Sequence, residues 1–201
     1  AVANRTALFD ENGEKSADFD AVLTVDGAYK AADFINFCDA YDIPVLSLTN
    51  VKGYAADVRS EKSIAKAVAK LTYAFANANV PKVNVITGEA YGSAYVTMNS
   101  KALGADVTYA WPDASIGMMD ANEAAKIMYA DDIAKSADVQ SVISEKAAEY
   151  AALQSGVESA AARGYVDTII NPEDTRKYVA AAFEMLYTQR EDGADKKHGT
   201  V

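Results

Sequence analysis

VNVITGEAYGSAY, residues 83–95, decides the fold. The β-branched run from Val83 to Thr87 reads as a strand, Gly88-Glu89-Ala90-Tyr91-Gly92-Ser93 as a glycine turn, and the residues beyond Ser93 as a helix ending at the C-cap glycine Gly104. The same unit stands just upstream. PVLSLT (44–49) is a strand and NVKGY (50–54) a glycine-containing turn. Ser63 to Asn77 is a helix with Ile64, Ala67, Val68, Leu71 and Phe75 on one stripe. Strand, glycine turn and helix in succession place the chain in the α/β class.

Working outward, Ala21 to Val25 reads as a strand, Asp26-Gly27 as a break, and Ala28 to Tyr41 as a helix with Ala31, Phe34, Ile35 and Cys38 on its inner face. Cys38 is therefore a small core residue rather than a nucleophile. Downstream, Val107–Ala110 and Ser115–Met118 flank the turn WPDA (111–114). Asp120 with Glu123 is an acidic capping box for a helix through Ile127 and Met128. An alanine-rich helical stretch comes next, about 134–153, with Asp131-Asp132 at a helix end rather than in a metal site. Arg163-Gly164 closes a short helix, and Tyr165 to Ile170 is a strand. NPED (171–174) opens a last helix running to about Gln189, with proline in its first turn. No fixed-period repeat or linker divides the chain, so one domain is expected over 1–189, with a charged tail at 190–201.

Composition excludes several functions. The 201 residues carry 29 Asp and Glu against 19 Lys and Arg, a net charge of −10, which disfavours nucleic acid and anionic lipid. The basic cluster Lys196-Lys197-His198 lies in the tail. One cysteine gives no disulfide framework or zinc cluster and fits a reducing, cytoplasmic setting. The first residues lack signal-peptide order, and no uncharged apolar stretch reaches the ~18 residues of a membrane span. A single histidine, His198, argues against a Ser-His-Asp triad, and no metal site is expected. Neither a Walker nor a dinucleotide glycine fingerprint is present.

Two junctions of small residues remain, TNVKGY (49–54) and TGEAYGSAY (87–95). Such residues at a helix N-terminus allow close approach to unpaired backbone N–H groups, which favour an oxyanion such as an enolate or a deprotonated ureido group. Each donor there counts for ~3–4 kcal/mol. Small residues also permit tight helix–sheet packing, and the local pattern leaves both readings open.

The wider pattern resembles a known family. AADFINFCDAYDIP (31–44) is similar to the KAARFxRFCDAFNIP segment of biotin-dependent acyl-CoA carboxyltransferases, the β subunits of propionyl-CoA carboxylase type and the α subunits of methylmalonyl-CoA and glutaconyl-CoA decarboxylases. Further similar blocks occur in order at YAFA (73–76), VPKV (80–83), AYGSAY (90–95), SK (100–101), LGAD (103–106), YAWP (109–112), RGYVD (163–167), INP (170–172) and KKHG (196–199).

The resemblance implies a crotonase-type fold of ββα turns, and the C-terminal, biotin-receiving domain of that family. It implies that the backbone N–H groups of Ser93 and Ala94 bind the biotin carbonyl oxygen, with Gly92 giving access, Tyr95 alongside, and Gly53, Tyr54, Gly117 and Met118 walling the site. The implied reaction moves CO2 between carboxybiotin and the α-carbon of an acyl-CoA of methylmalonyl or propionyl type, with enolates held by backbone donors. The implied partners are a separate biotin carboxyl carrier protein and an acyl-CoA-binding N-terminal domain or subunit. Further copies of the chain and, in the decarboxylase branch, a membrane component are implied too. The chain alone would hold half of the active site.

Two departures stand out. The family's GGAYD reads Gly92-Ser93-Ala94-Tyr95-Val96, without the aspartate associated with acyl selection. PGFxPGxxQE reads KGYAADVRSE (52–61), which leans toward the decarboxylase branch. Two alternatives are a noncatalytic carrier-docking or assembly module, and a free-standing enoyl-CoA hydratase or isomerase using Glu89 and Glu61.

Overall fold

A computed structural model describes residues 1–136 and 138–189. Its spine is β7 (Lys82–Tyr91), ten residues rich in β-branched side chains and buried over its first half. On one side β7 pairs in parallel with β5 (Val45–Val51), which pairs in turn with β1 (Val2–Ala3). On the other side its first half pairs with β8 (Val107–Ala110) and its second half with β9 (Ser115–Gly117), while β10 (Thr168–Ile169) extends the sheet beyond β8. A parallel pair of short strands, β4 (Val22–Leu23) and β6 (Gly53–Tyr54), and an antiparallel hairpin of β2 (Ala7–Phe9) and β3 (Lys15–Asp18) lie outside this sheet.

Parallel strands need crossovers, and helices supply them. Helices α1 (Val25–Ala40) and α2 (Val58–Asn77) cover one face, burying Ala28, Ala32, Ile35, Leu71 and Phe75 against Val45, Val51 and Ile86. Val83, Val85 and Tyr109 point to the other face, where Val179 and Ala182 of α8 (Thr175–Leu186) meet them. The alternation along β7 thus feeds two cores. The buried Lys82 fits because its Nζ donates to the carbonyls of Ala78 (2.7 Å) and Phe75 (3.2 Å), closing the C-terminal turn of α2. Two units, β5-β6-α2 and β8-β9-α4 (Ala121–Met128), separated by β7 and the short helix after it, have the expected ββα form.

Several boundaries differ from the sequence reading. Helix α1 starts at Val25, because the Thr24 hydroxyl accepts from the Gly27 N–H at 3.1 Å; Asp26-Gly27 form its first turn, not a break. Its inner stripe is Val25, Ala28, Ala32, Ile35 and Cys38, and Phe34 is 40% exposed. Helix α2 begins at Val58, capped by Asp57, whose carboxylate accepts from the Ser60 N–H at 2.9 Å. That bond, with the Ser60 hydroxyl, holds the Asp57 carboxyl below the usual range. Residues 88–91 are strand rather than turn, and α3 spans only Gly92–Thr97. Asn99, at φ +62°, ends it, and a 3-10 turn (Lys101–Leu103) leads to Gly104, left-handed as expected at φ +105°.

The stretch 134–153 divides into α5 (Ala130–Lys135), which carries Asp131-Asp132 in its first turn, and α6 (Val139–Tyr150), capped by Asp138. A wider π-type turn, Ala151–Ser155, comes after α6, and then α7 (Val157–Ala162). Within Tyr165–Ile170 only β10 is strand, and α8 stops at Leu186 after a Pro172–Asp174 turn. The tail reading, with Lys196-Lys197-His198, falls outside the described residues. Among the described residues no helix is long and apolar enough to cross a membrane. Likewise, no three His, Cys, Asp or Glu side chains among them gather around a metal position.

Candidate functional site

The site forms where β7 hands the chain to α3. Tyr91 occupies the N-cap without a side-chain cap bond, so the N–H groups of Ser93 and Ala94, in the first turn, have no partner one turn back. Gly92 makes the turn. Its φ is +58°, and a Cβ on it would lie 3.0 Å from the carbonyl oxygen of Met118. Both facts require glycine. Upstream, β7 re-pairs from β8 to β9 across a register shift opposite Thr49 and Val51. Asn50 bridges that gap: its Oδ1 accepts from the Glu89 N–H at 3.0 Å, and a Cβ on Gly88 would meet the same oxygen at 2.7 Å.

Two cavities of about 400 Å³ each adjoin along Gly92, Ser93 and Met118. Lys52, Gly53, Tyr54, Tyr91, Ala94, Met119, Asp120 and Glu123 complete the lining of one. The other is bordered by Tyr95, Val96, Ile116 and Gly117, then by Tyr150, Gln154, Ala160, Arg163 and Tyr165. Gly53, Tyr54, Gly92, Ser93, Ala94, Tyr95, Gly117 and Met118, singled out from the sequence, therefore each border one cavity or the other. Ser93 is exposed at the shared rim, whereas Ala94 as a whole residue is 1% exposed and belongs to the core.

The sequence reading missed Lys52, Tyr91, Asp120 and Glu123 in one cavity, and Tyr150, Gln154, Arg163 and Tyr165 in the other. Asp120 had a visible signal as a cap and does cap α4, accepting from the Asn122 N–H at 2.9 Å. Glu123 does not reach back to the cap but pairs with Lys126 at 2.7 Å. Lys52 and Tyr91 lie within the two small-residue junctions at 49–54 and 87–95 without being singled out there, whereas Tyr150, Gln154, Arg163 and Tyr165 carry no local signal, since separate elements bring them in. Glu89 and Glu61 line neither cavity: Glu89 lies on β7, and Glu61 is exposed in the first turn of α2. Cys38 is buried at 2% exposure, with its thiol pushed up by burial, and also lies outside both.

Two phenols here, Tyr91 and Tyr95, are held neutral by burial. Burial raises Tyr91, partly offset by its hydrogen bond to the Ser115 Oγ at 2.8 Å. Burial, with a smaller contribution from Tyr165, pushes Tyr95 up to about 12. Chemically, the site offers two backbone N–H donors at a turn open to close approach, beside one cavity with carboxylates and one that is mostly apolar. Such a set stabilises negative charge on a carbonyl oxygen.

The chain as a whole is similar to known proteins. A family model described as the carboxyl transferase domain matches residues 1–201. The propionyl-CoA carboxylase beta chain of Saccharopolyspora erythraea is 45% identical over 184 residues, covering 89% of this chain and 34% of the relative. The methylmalonyl-CoA decarboxylase subunit alpha of Propionigenium modestum is 42% identical over 180 residues, covering 89% and 35%. The transcarboxylase 12S crystal structure, described as a hexamer with methylmalonyl-coenzyme A and methylmalonic acid bound, superposes with a TM-score of 0.84. It is 41% identical, over 89% of this chain and 34% of that one. The chain thus spans about a third of the length of these relatives. The parallel sheet with its ββα units is the crotonase-like fold they share, and the chain belongs to the carboxyl transferase domain family.

Proposed function

We propose that this chain is the biotin-side part of a carboxyltransferase, moving a carboxyl group between biotin on a separate carrier protein and the α-carbon of an acyl-CoA of methylmalonyl or propionyl type. Biotin, when bound, supplies the ureido nitrogen that carries the carboxyl group. The chain's own contribution is electrostatic: the N–H groups of Ser93 and Ala94 hold the developing oxyanion of the ureido carbonyl, and Gly92 keeps the approach free of a side chain. The carrying observation is the Gly92 turn, left-handed and against the Met118 carbonyl, which puts Ser93 and Ala94 in the first turn of α3 on the wall of the cavity. The lining leaves room for a flat ureido ring, because Gly53, in the same cavity as Ser93, has nothing within 4 Å of its Cβ position.

No side-chain base is needed in this scheme. The exchange balances without one: the ureido nitrogen that gives up the carboxyl group would take the proton leaving the acyl α-carbon, and the reverse in decarboxylation, so no side-chain base has to keep a proton. Family membership and the likeness to relatives named for propionyl-CoA and methylmalonyl-CoA support the acyl class. An acyl-CoA-binding domain, further copies of the chain and a biotin carrier are the partners this reading requires.

The test is binding of a biotinylated carrier to the 201-residue chain. Ser93→Trp places a large side chain on the exposed rim shared by both cavities without entering the core. It is expected to weaken carrier binding at least tenfold, the cost of losing about one good donor contact or more. Equal binding by the variant, or equal binding of a carrier without biotin, refutes the assignment.

A further inference from the structure

Thr49 and Asn50 open the first small-residue junction but line neither cavity. Their bonds run instead to the segment that carries the donors, on both sides of Gly92. Ahead of the turn, the Thr49 carbonyl accepts from the Thr87 hydroxyl at 3.3 Å, and the Asn50 Oδ1 from the Glu89 N–H at 3.0 Å. Behind it, the Thr49 hydroxyl lies 3.2 Å from the carbonyl oxygen of Met98, the C-cap of α3, and 2.8 Å from the Asn84 Oδ1, with one proton shared between these acceptors. Two neighbouring residues of β5 thus hold the stretch 87–98 at three points. Helix α3, within that stretch, has six residues, and so short a helix depends on its surroundings to form. Where its first-turn N–H groups point is set by what its two ends are bonded to.

The layer under this anchor is polar where a parallel sheet is ordinarily apolar. Ser47 on β5 and Thr108 on β8 stand opposite Asn84 on β7, and Thr49 lies on the same face. All four residues are 0% exposed. The Ser47 and Thr108 hydroxyls and the Nδ2 groups of Asn84 and Asn99 have no hydrogen-bond partner among the described residues, an arrangement that lowers stability. Packing favours apolar side chains at such positions, so the reason for a hydroxyl at position 49 lies in the bond it makes to α3.

We propose that Thr49 and Asn50 are positioning residues for carboxyl transfer, fixing α3 from both ends so that the Ser93 and Ala94 N–H groups are aimed before the oxyanion forms. The inference rests on the carboxyltransferase reading. Neither residue borders the cavities, and each acts through the segment it holds. Pre-aimed donors count most where charge develops, so loosening the anchor lowers kcat and leaves KM in place.

The test is transfer from methylmalonyl-CoA to a biotinylated carrier in the complex reconstituted with the acyl-CoA-binding partner, with urea midpoints of the chain measured alongside. Thr49→Val keeps the shape of the side chain and removes its hydroxyl. It is expected to lower kcat about tenfold at unchanged KM for the carrier, part of the 10²–10³-fold that a whole donor is worth. Thr49→Ser, which keeps the hydroxyl, is expected to recover most of the rate. Asn50→Ala, at a half-buried position, makes the same test should Thr49→Val not fold, and Asn50→Asp keeps the acceptor and is expected to rescue it. Val179→Ala, in the core on the opposite face of the sheet, controls for lost stability: it is expected to lower the urea midpoint and leave kcat unchanged. A normal kcat in folded Thr49→Val or Asn50→Ala overturns the inference, as does a Val179→Ala that loses kcat in the same proportion to its midpoint. Titration of the unmodified chain with biotin methyl ester tests the underlying reading by itself. No movement of the Ser93 and Ala94 amides removes that reading and the inference with it, whereas movement there with a normal kcat in the variants removes the inference alone.

Discussion

Gly92→Ala is expected to leave the chain folded and to slow carboxyl transfer in the complex reconstituted with carrier and acyl-CoA-binding partner by about 10²–10³-fold. Two effects combine at this position. A left-handed φ costs an alanine roughly 1–2 kcal/mol. The new Cβ also stands 3.0 Å from the Met118 carbonyl oxygen, a backbone atom that yields only if β9 or α3 shifts. Either shift re-aims the Ser93 and Ala94 N–H groups, and donors of this kind are worth roughly 3–4 kcal/mol each only when aligned. Gly104→Ala separates strain from function: Gly104 is also left-handed, at φ +105°, but has nothing within 4 Å of its Cβ position. It is expected to cost similar stability in urea denaturation and leave transfer unchanged. Equal transfer rates for the two variants would show that the Gly92 turn is only structural.

Phe75→Ala is expected to destabilise the chain by about 3–5 kcal/mol, the usual cost of emptying a buried aromatic site. Phe75 is fully buried on the inner face of α2, within the core that joins both helices to the sheet. Phe37 provides the contrast. It lies on the outer side of α1, 54% exposed and against Tyr41, so Phe37→Ala is expected to cost no more than about 0.5 kcal/mol, as at ordinary surface positions. Urea midpoints of the two variants measure both. A small effect at position 75 would mean that the α1–α2 layer does not carry the core.

How much of the fold and the site is legible in the sequence depends on how local each signal is. β7 and the Gly92 turn stand out because a long β-branched run ending in small residues is a contiguous pattern. The α1 start is misplaced because Asp-Gly reads as a break, although Thr24 immediately before it is a good N-cap and overrides it. Spacing assigns Phe34 to the core, but the inner stripe of α1 is rich in alanine, which lets the helix lie close to the sheet and leaves the larger aromatics outside. β1, β4, β6 and β10 have two residues each, too few for a period of two to show. The cavity walls are the least accessible. Tyr150, Gln154 and Arg163 are far in sequence from Gly92 and come to it only because the turn after α6 and the end of α7 pack beside β9, a consequence of tertiary packing that no local pattern records.

The most direct measurement is a 1H–15N titration of the chain with biotin methyl ester. Two backbone donors on one carbonyl oxygen predict saturable downfield movement of the Ser93 and Ala94 amide protons, the largest in the spectrum, and loss of that movement in Ser93→Trp. Saturable binding that leaves these two amides in place and moves others instead would contradict the account.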